Sequence, residues 1–258
     1  MQNELLIFLS ENLKEFISYI INILFPPICI LCNKIDKNWI CEKCYKKLKI
    51  LMKNKIINYK LTKTFPISKN DKLINIINKP KKINKNTKYN IKILYKLLYI
   101  FEYRGIIRKI IIDYKFNDKA YICNFFSNII LNNKFICDNL KRYDIIISVP
   151  LSQKRMMQRG YNQTDLIAKN IFKKLNLEYK SDYLIKKKET EKQSSLSKKE
   201  RKKNIKDAFC FNDKYNIKNK NIILIDDVYT TGNTASECAK ILKKNGANEI
   251  LVLIIAKD

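Results

Sequence analysis

The 258-residue chain predicts an α/β protein, a parallel-rich sheet flanked by helices, joined to a small amino-terminal module. Three observations lead there. Beyond residue 91, short continuous apolar runs alternate with stretches of helical period, the rhythm of a sheet covered on both faces. Near the amino terminus, four cysteines fall into two C-x-x-C pairs. The length suits one domain plus an accessory module, and a hydrophobic content of 46% supports a core. The organisation expected is therefore 1–52 as a helical and cysteine module, 53–90 as a connector, and 91–258 as the α/β domain.

The first residues, "MQNELLIFLSENLKEF", place acids where the basic start of a secretory signal would stand, and residues 4–24 read as an amphipathic helix. Such a helix either packs on the rest of the chain or touches a membrane surface. The longest apolar run, "FISYIINILFPPICILC", is interrupted by Pro26 and Pro27, short of the roughly 18 residues a spanning helix needs. A cytoplasmic protein with reduced thiols is expected.

"CILCNKIDKNWICEKC" sets Cys29 and Cys32, then Cys41 and Cys44, as two knuckles. Each knuckle aims two thiolates at one point, and two complete the S4 shell that suits structural zinc. The chain has no histidine, so mixed ligation is excluded. A redox or iron–sulfur role and a metal-free module are the alternatives. Cys123, Cys137, Cys210 and Cys238 stand in apolar surroundings and read as core. Residues 53–90, rich in Lys and Asn with Pro66 and Pro80, show no sustained period and read as a solvated connector or a polyanion-binding strip.

Lys and Arg total 52 against 24 acids, a formal net charge of +28. That excess points to polyanionic partners, nucleic acid or phosphorylated small molecules. It also matches a compositional drift toward Lys, Asn and Ile. Only four glycines remain where average usage would give about 18. Gly160, Gly232 and Gly246 all fall in predicted turns, where the backbone needs them.

In the α/β domain, "DIIISVP" (Asp144 to Pro150), "NIILID" (Asn221 to Asp226) and "EILVLIIA" (Glu249 to Ala256) read as buried strands. A helix follows the first, capped by Asn162, with Leu166, Ile167, Ile171 and Leu175 on its apolar side. Another is expected from near Ala235 to Gly246. Ligands of such sheets bind beyond the carboxyl ends of the strands. Asp226 and Asp227 lie there, followed by "TTGNT", Thr230 to Thr234, where backbone N–H groups, hydroxyls and a helix start converge on one anion-sized point. Thr234 and Glu237 alone would fit an N-capping box, which leaves two adjacent carboxylates at a strand end unexplained. A ligand with both a vicinal diol and a phosphate satisfies the whole array.

"ILIDDVYTTGNT" resembles the motif by which type I phosphoribosyltransferases bind phosphoribosyl pyrophosphate (PRPP). "SVPLSQKRMMQRGYNQTDLIAK", "YRGIIRKIIIDYKFNDK" and "ETEKQSSLSKKERKKNIKDAF" are similar to three further blocks of the ComF family of phosphoribosyltransferase-like proteins, whose members also carry an amino-terminal cysteine module. The resemblance implies a type I phosphoribosyltransferase fold. It implies that Asp226 and Asp227 hold the ribose hydroxyls, and that Thr230, Thr231, Gly232, Asn233 and Thr234 hold the 5′-phosphate. Arg155 and Arg159 would neutralise the pyrophosphate, with Mg²⁺ bridging it to the ribose, and a guanidinium suits that task where only six of the basic residues are arginine. Gln193 and Arg201 fall where such enzymes carry a mobile loop, and for them a solvated loop is an equal reading. Lys115 either guides an anion or lies at the surface. The chain departs from many relatives in having Lys186 and Lys188 where they have arginine, and in lacking a third cysteine pair.

Two functions follow from the resemblance, and the sequence leaves both open. One is transfer of the phosphoribosyl group to an unidentified acceptor, in which Asp226, Asp227, Arg155 and Arg159 would act through electrostatic positioning. The other is a non-catalytic accessory protein of competence or DNA uptake that binds single-stranded DNA or the uptake machinery and senses PRPP. Tyr95, Tyr99, Phe101 and Tyr103 would then be either stacking groups or core. A receiver-like domain is disfavoured, because its acid pair follows the first strand.

Overall fold

The computed structural model describes residues 26, 28–36, 40–52, 55–64, 90–189 and 204–258. The expected amphipathic helix at 4–24, and Gln193 and Arg201, lie outside the described residues. The chain divides into two compact units, with the break between Leu51 and Met52.

In the first unit, a β-bridge pairs Ile28 with Ile35, and helix α1 spans Glu42–Ile50. Asn33 takes a left-handed conformation that closes the intervening turn. The described apolar interior is small: Cys29, Ile40, Cys44 and Leu48 are buried, while Ile28, Ile35, Ile50 and Leu51 are exposed.

The second unit is built on a six-stranded sheet. Its strands are β1 (Lys55–Thr64), β2 (Asn90–Glu102), β3 (Ile145–Ser148), β4 (Glu178–Tyr179), β7 (Ile222–Tyr229) and β8 (Ile250–Lys257), in the spatial order β1-β2-β8-β7-β3-β4. Every neighbouring pair from β2 to β4 is parallel. Only β1, at the edge, runs antiparallel to its partner β2. The sequence placed 55–64 in a connector without regular structure; here that segment is a ten-residue strand. A separate antiparallel hairpin joins β5 (Leu184–Lys186) and β6 (Phe209–Phe211).

Six helices belong to this unit among the described residues: α2 (Gly105–Phe116), α3 (Ile122–Leu131), α4 (Lys134–Leu140), α5 (Gln153–Arg159), α6 (Gln163–Leu175) and α7 (Asn233–Lys244). None of the described helices is long and apolar enough to cross a membrane. The central strands are buried on both faces, as their unbroken apolar runs require: all of β3, and Ile222 to Ile225 of β7, are inaccessible. Ile222, Leu224, Val252 and Ile254 pack with Ala235, Cys238, Ala239 and Leu242 of α7 and with Tyr183, Leu184 and Phe209 around the hairpin. Alternation sends Ile223 and Ile225 to the opposite face.

Asn162 caps α6 as expected, its Oδ1 accepting from the Thr164 amide at 3.2 Å. Ile167, Ile171 and Leu175 are buried beneath that helix, and Leu166 is half-buried at its margin. Tyr95 and Phe101 are buried and Tyr99 packs against the core, so these aromatics build the interior and do not form a stacking surface. Cys123, Cys137 and Cys238 are core residues; Cys210, on the two-stranded hairpin, is only half-buried.

Candidate functional site

The site lies beyond the carboxyl ends of β3 and β7. β7 continues through both acids to Tyr229, three residues further than the apolar run alone indicates, because Val228 and Tyr229 still pair with β8. The turn that follows bends at Gly232, which has a φ of +69°. A Cβ there would meet the Tyr229 hydroxyl at 2.2 Å. Glycine is thus needed twice, for the left-handed backbone and for the close approach. Tyr229 is held beneath the turn by a 3.0 Å hydrogen bond between its hydroxyl and that of Tyr95 in β2.

Helix α7 starts at Asn233 with Gly232 as its cap, two residues before the start expected from the sequence. Gly232 thus takes the cap position that a Thr234–Glu237 capping box would give to Thr234, and Glu237 pairs with Lys240 at 2.6 Å. Asp226, Thr230, Gly232, Asn233 and Thr234, but not Thr231, line one small cleft. Two side-chain atoms of the turn, Thr231 Oγ1 and Asn233 Nδ2, are buried without a hydrogen-bond partner among the described residues. Buried polar atoms are nearly always paired, so two such groups on one turn single it out as a candidate binding site.

The acids are divided between the two faces of the sheet. Asp226 follows Ile222 and Leu224 toward α7 and the hairpin, where loss of hydration and then the neighbouring Asp227 carboxylate raise its pKa. Its Oδ1 accepts from the Asp227 amide at 2.9 Å. Asp227 faces α2, and its Oδ1 accepts from Lys115 Nζ at 2.7 Å, with the two side chains 15% and 17% exposed. Of the two acids, only Asp226 lines the cleft.

Arg155 and Arg159 lie one turn apart on α5, which follows β3. Gly160, in the left-handed region, ends that helix. Arg159 Nη1 donates to Gln163 Oε1 at 3.0 Å, and its guanidinium stacks over Phe116 at 4.9 Å. Burial pulls its pKa down, while the Asp227 charge opposes that change. Lys186 of β5 is half-buried above Phe209, and burial followed by the charge of Arg155 lowers its pKa to about 8.

One residue here carries no pattern of its own in the sequence, and a second stands open there between two readings. Gln163, fully buried at the start of α6, holds Arg159 and has its Nε2 unpartnered among the described residues. Lys115 was weighed equally as a surface residue. Both belong to the blocks quoted above, which was the only signal in the sequence.

In the first unit, the Sγ atoms of Cys29, Cys32, Cys41 and Cys44 all lie within 4.8 Å of one another. Cys29 and Asn33 close the first knuckle through backbone bonds of 2.8 and 2.9 Å, and Cys41 caps α1. The backbone amides of Cys41, Leu31 and Cys32 outweigh burial and pull the Cys29 thiol down, whereas burial and the neighbouring thiols push Cys44 up. Four sulfur donors that converge this closely suit a cation bound to all of them. The donors therefore fit a tetrahedral S4 metal centre.

Comparison with known proteins agrees with this architecture. The phosphoribosyl transferase domain family matches residues 166–258. The DNA utilization protein YhgH of Shigella flexneri is 30% identical over 165 residues, which cover 63% of this chain and 72% of that protein. Competence protein F of Haemophilus influenzae is 38% identical over 119 residues, 46% of this chain and 52% of that one. Competence protein ComFC of Bacillus subtilis is 30% identical over 148 residues, covering 57% and 58%. The sheet order, the cysteine cluster and these relatives together place the chain in the ComF family of phosphoribosyltransferase-like proteins.

Proposed function

We propose that this protein binds PRPP at the cleft of the β7–α7 turn, and that it acts in DNA utilisation or competence, as the names of its relatives indicate for them. The observation behind the binding assignment is the pair of unpartnered buried donors, Thr231 Oγ1 and Asn233 Nδ2, on a left-handed turn at a helix start. Backbone amides and a helix dipole there favour a phosphate. Thr230 to Thr234 would hold the 5′-phosphate, Asp226 and Asp227 the ribose diol, and Arg155 and Arg159 the pyrophosphate.

The acids and the ligand's own phosphates are the hard oxygen donors that suit Mg²⁺, which would supply charge neutralisation at the leaving group. Phosphoribosyl transfer fits this arrangement: the arginines draw charge toward the departing pyrophosphate while the acids orient the sugar. The four cysteines would hold zinc as a structural ion, since a closed S4 shell leaves no open position for chemistry.

Calorimetry with Mg²⁺ and PRPP tests the assignment. The parent protein binds, and the double variant Asp226→Asn/Asp227→Asn loses at least about tenfold in affinity, as expected when hydrogen bonds to charged groups are removed. Equal binding by both would remove the site. Pyrophosphate release in a screen of bases and amines identifies a transferase. Salt-dependent binding of a single-stranded oligonucleotide without any response to PRPP would instead indicate that the charge of +28 serves DNA.

A further inference from the structure

The acid on the α2 side of the site already has a partner. Lys115 Nζ sits 2.7 Å from Asp227 Oδ1, with both side chains more than four-fifths buried. Asp227 does not line the cleft, although holding a ribose diol with both acids requires its carboxylate.

The backbone around Lys115 is pinned on both sides. The Tyr114 hydroxyl donates to the Gln163 carbonyl at 2.7 Å, and the Tyr161 hydroxyl donates to the Tyr114 carbonyl at 2.6 Å. The next residue, Phe116, lies under the Arg159 guanidinium. Three consecutive residues at the end of α2 therefore touch both the acid of the diol side and the arginine of the pyrophosphate side. Any change at Lys115 is a side-chain rotation, and its flexible stem allows one.

We infer that Lys115 is an exchangeable counter-cation of Asp227: its ammonium occupies the carboxylate in the ligand-free protein and moves to the pyrophosphate when PRPP binds, releasing Asp227 to the ribose hydroxyls. This rests on the PRPP reading of the cleft. The physical case is one of charge. A carboxylate this deeply buried needs a compensating cation, and the lysine supplies it until a ligand arrives. The incoming pyrophosphate is a stronger attractor for an ammonium than one carboxylate is. The next residue, Phe116, already lies under Arg159, so Lys115 stands beside the contact made by the arginine of the pyrophosphate side.

The exchange predicts two opposite changes when the ammonium is removed. In zinc-loaded full-length Lys115→Met and Lys115→Gln, Asp227 loses its partner, and Mn²⁺ added alone finds a more negative acid pair. Mn²⁺ serves as the probe because it prefers carboxylates to thiolates. Electron paramagnetic resonance should show Mn²⁺ affinity about tenfold higher than in the parent, and calorimetry should show Mg²⁺-PRPP affinity about tenfold lower, each equal to about 1.4 kcal/mol. A lysine that only supports the fold would lower the melting temperature without raising Mn²⁺ affinity. Unchanged Mn²⁺ affinity in either folded variant, or unchanged PRPP affinity, overturns the exchange. If the parent fails to bind Mg²⁺-PRPP at all, the reading of the cleft falls and the transfer step falls with it; the Mn²⁺ measurement then separately decides whether Lys115 neutralises Asp227.

Discussion

The cysteine module and the phosphoribosyltransferase-like unit both gather polar groups around a point, but they reach that arrangement in opposite ways. In the module, the four sulfurs lie within 4.8 Å of one another and two of them are themselves among the few buried residues described there. The binding group is then much of the core. In the larger unit, a sheet with buried strands, flanked by α7 and α6, has an apolar core of its own, and the cleft is a feature of the strand ends. Small domains without a sufficient apolar interior depend on metals or disulfides, whereas larger ones can leave polar groups waiting at an edge.

Chelation is the strongest way to break this comparison. Structural zinc in modules of this kind contributes about 10–16 kcal/mol to folding, as much as the whole stability of an ordinary domain. Removing the metal should abolish hydrogen-exchange protection of the amides in α1 and around Cys29, while protection in β7 and β8 persists. Protection of α1 that survives complete chelation would show that the module folds by its apolar contacts and that the sulfur cluster is incidental.

Gly232→Ala sharpens the other side. Alanine at positive φ costs about 1–2 kcal/mol, and its Cβ would also collide with the Tyr229 hydroxyl at 2.2 Å. The turn must move, so PRPP affinity should fall by about a hundredfold, equivalent to about 2.7 kcal/mol. Near-parental binding would mean that the turn does not need this shape.

Much of this was readable in the sequence, and what was not has a common cause. Continuous apolar runs marked β3, β7 and β8, because strands buried on both faces cannot be polar. The two acids, the turn and the knuckles were visible because their spacing is local. β1 was missed: "KIINYKLTKT" becomes a strand by pairing with β2, and strand propensity depends on such neighbours. Lys115 was undecidable for a similar reason, as its partner Asp227 lies 112 residues away. The start of α7 was placed late because a Thr–Glu pair three apart reads as a capping box, while Gly232 takes the cap by its left-handed backbone. Cys210 was read as core from apolar neighbours in sequence, but the two-stranded hairpin leaves it half-buried.

The smallest predicted effect separates binding from folding most cleanly. Thr231 Oγ1 is buried without a partner among the described residues, so in the ligand-free protein the hydroxyl contributes desolvation cost and no hydrogen bond. Valine has the same shape and removes that cost, so Thr231→Val should melt at the same temperature or slightly higher. Bound phosphate would lose a donor, and affinity for PRPP should drop about tenfold, the value of a hydrogen bond to a charged group. The two changes are opposite in sign, which no simple loss of packing produces. A variant that is less stable and binds PRPP normally would place the hydroxyl in the fold and not in the site. The corresponding loss in the module is not separable in this way: Cys29 or Cys44, removed from the cluster, would take a proposed metal ligand and a core residue together.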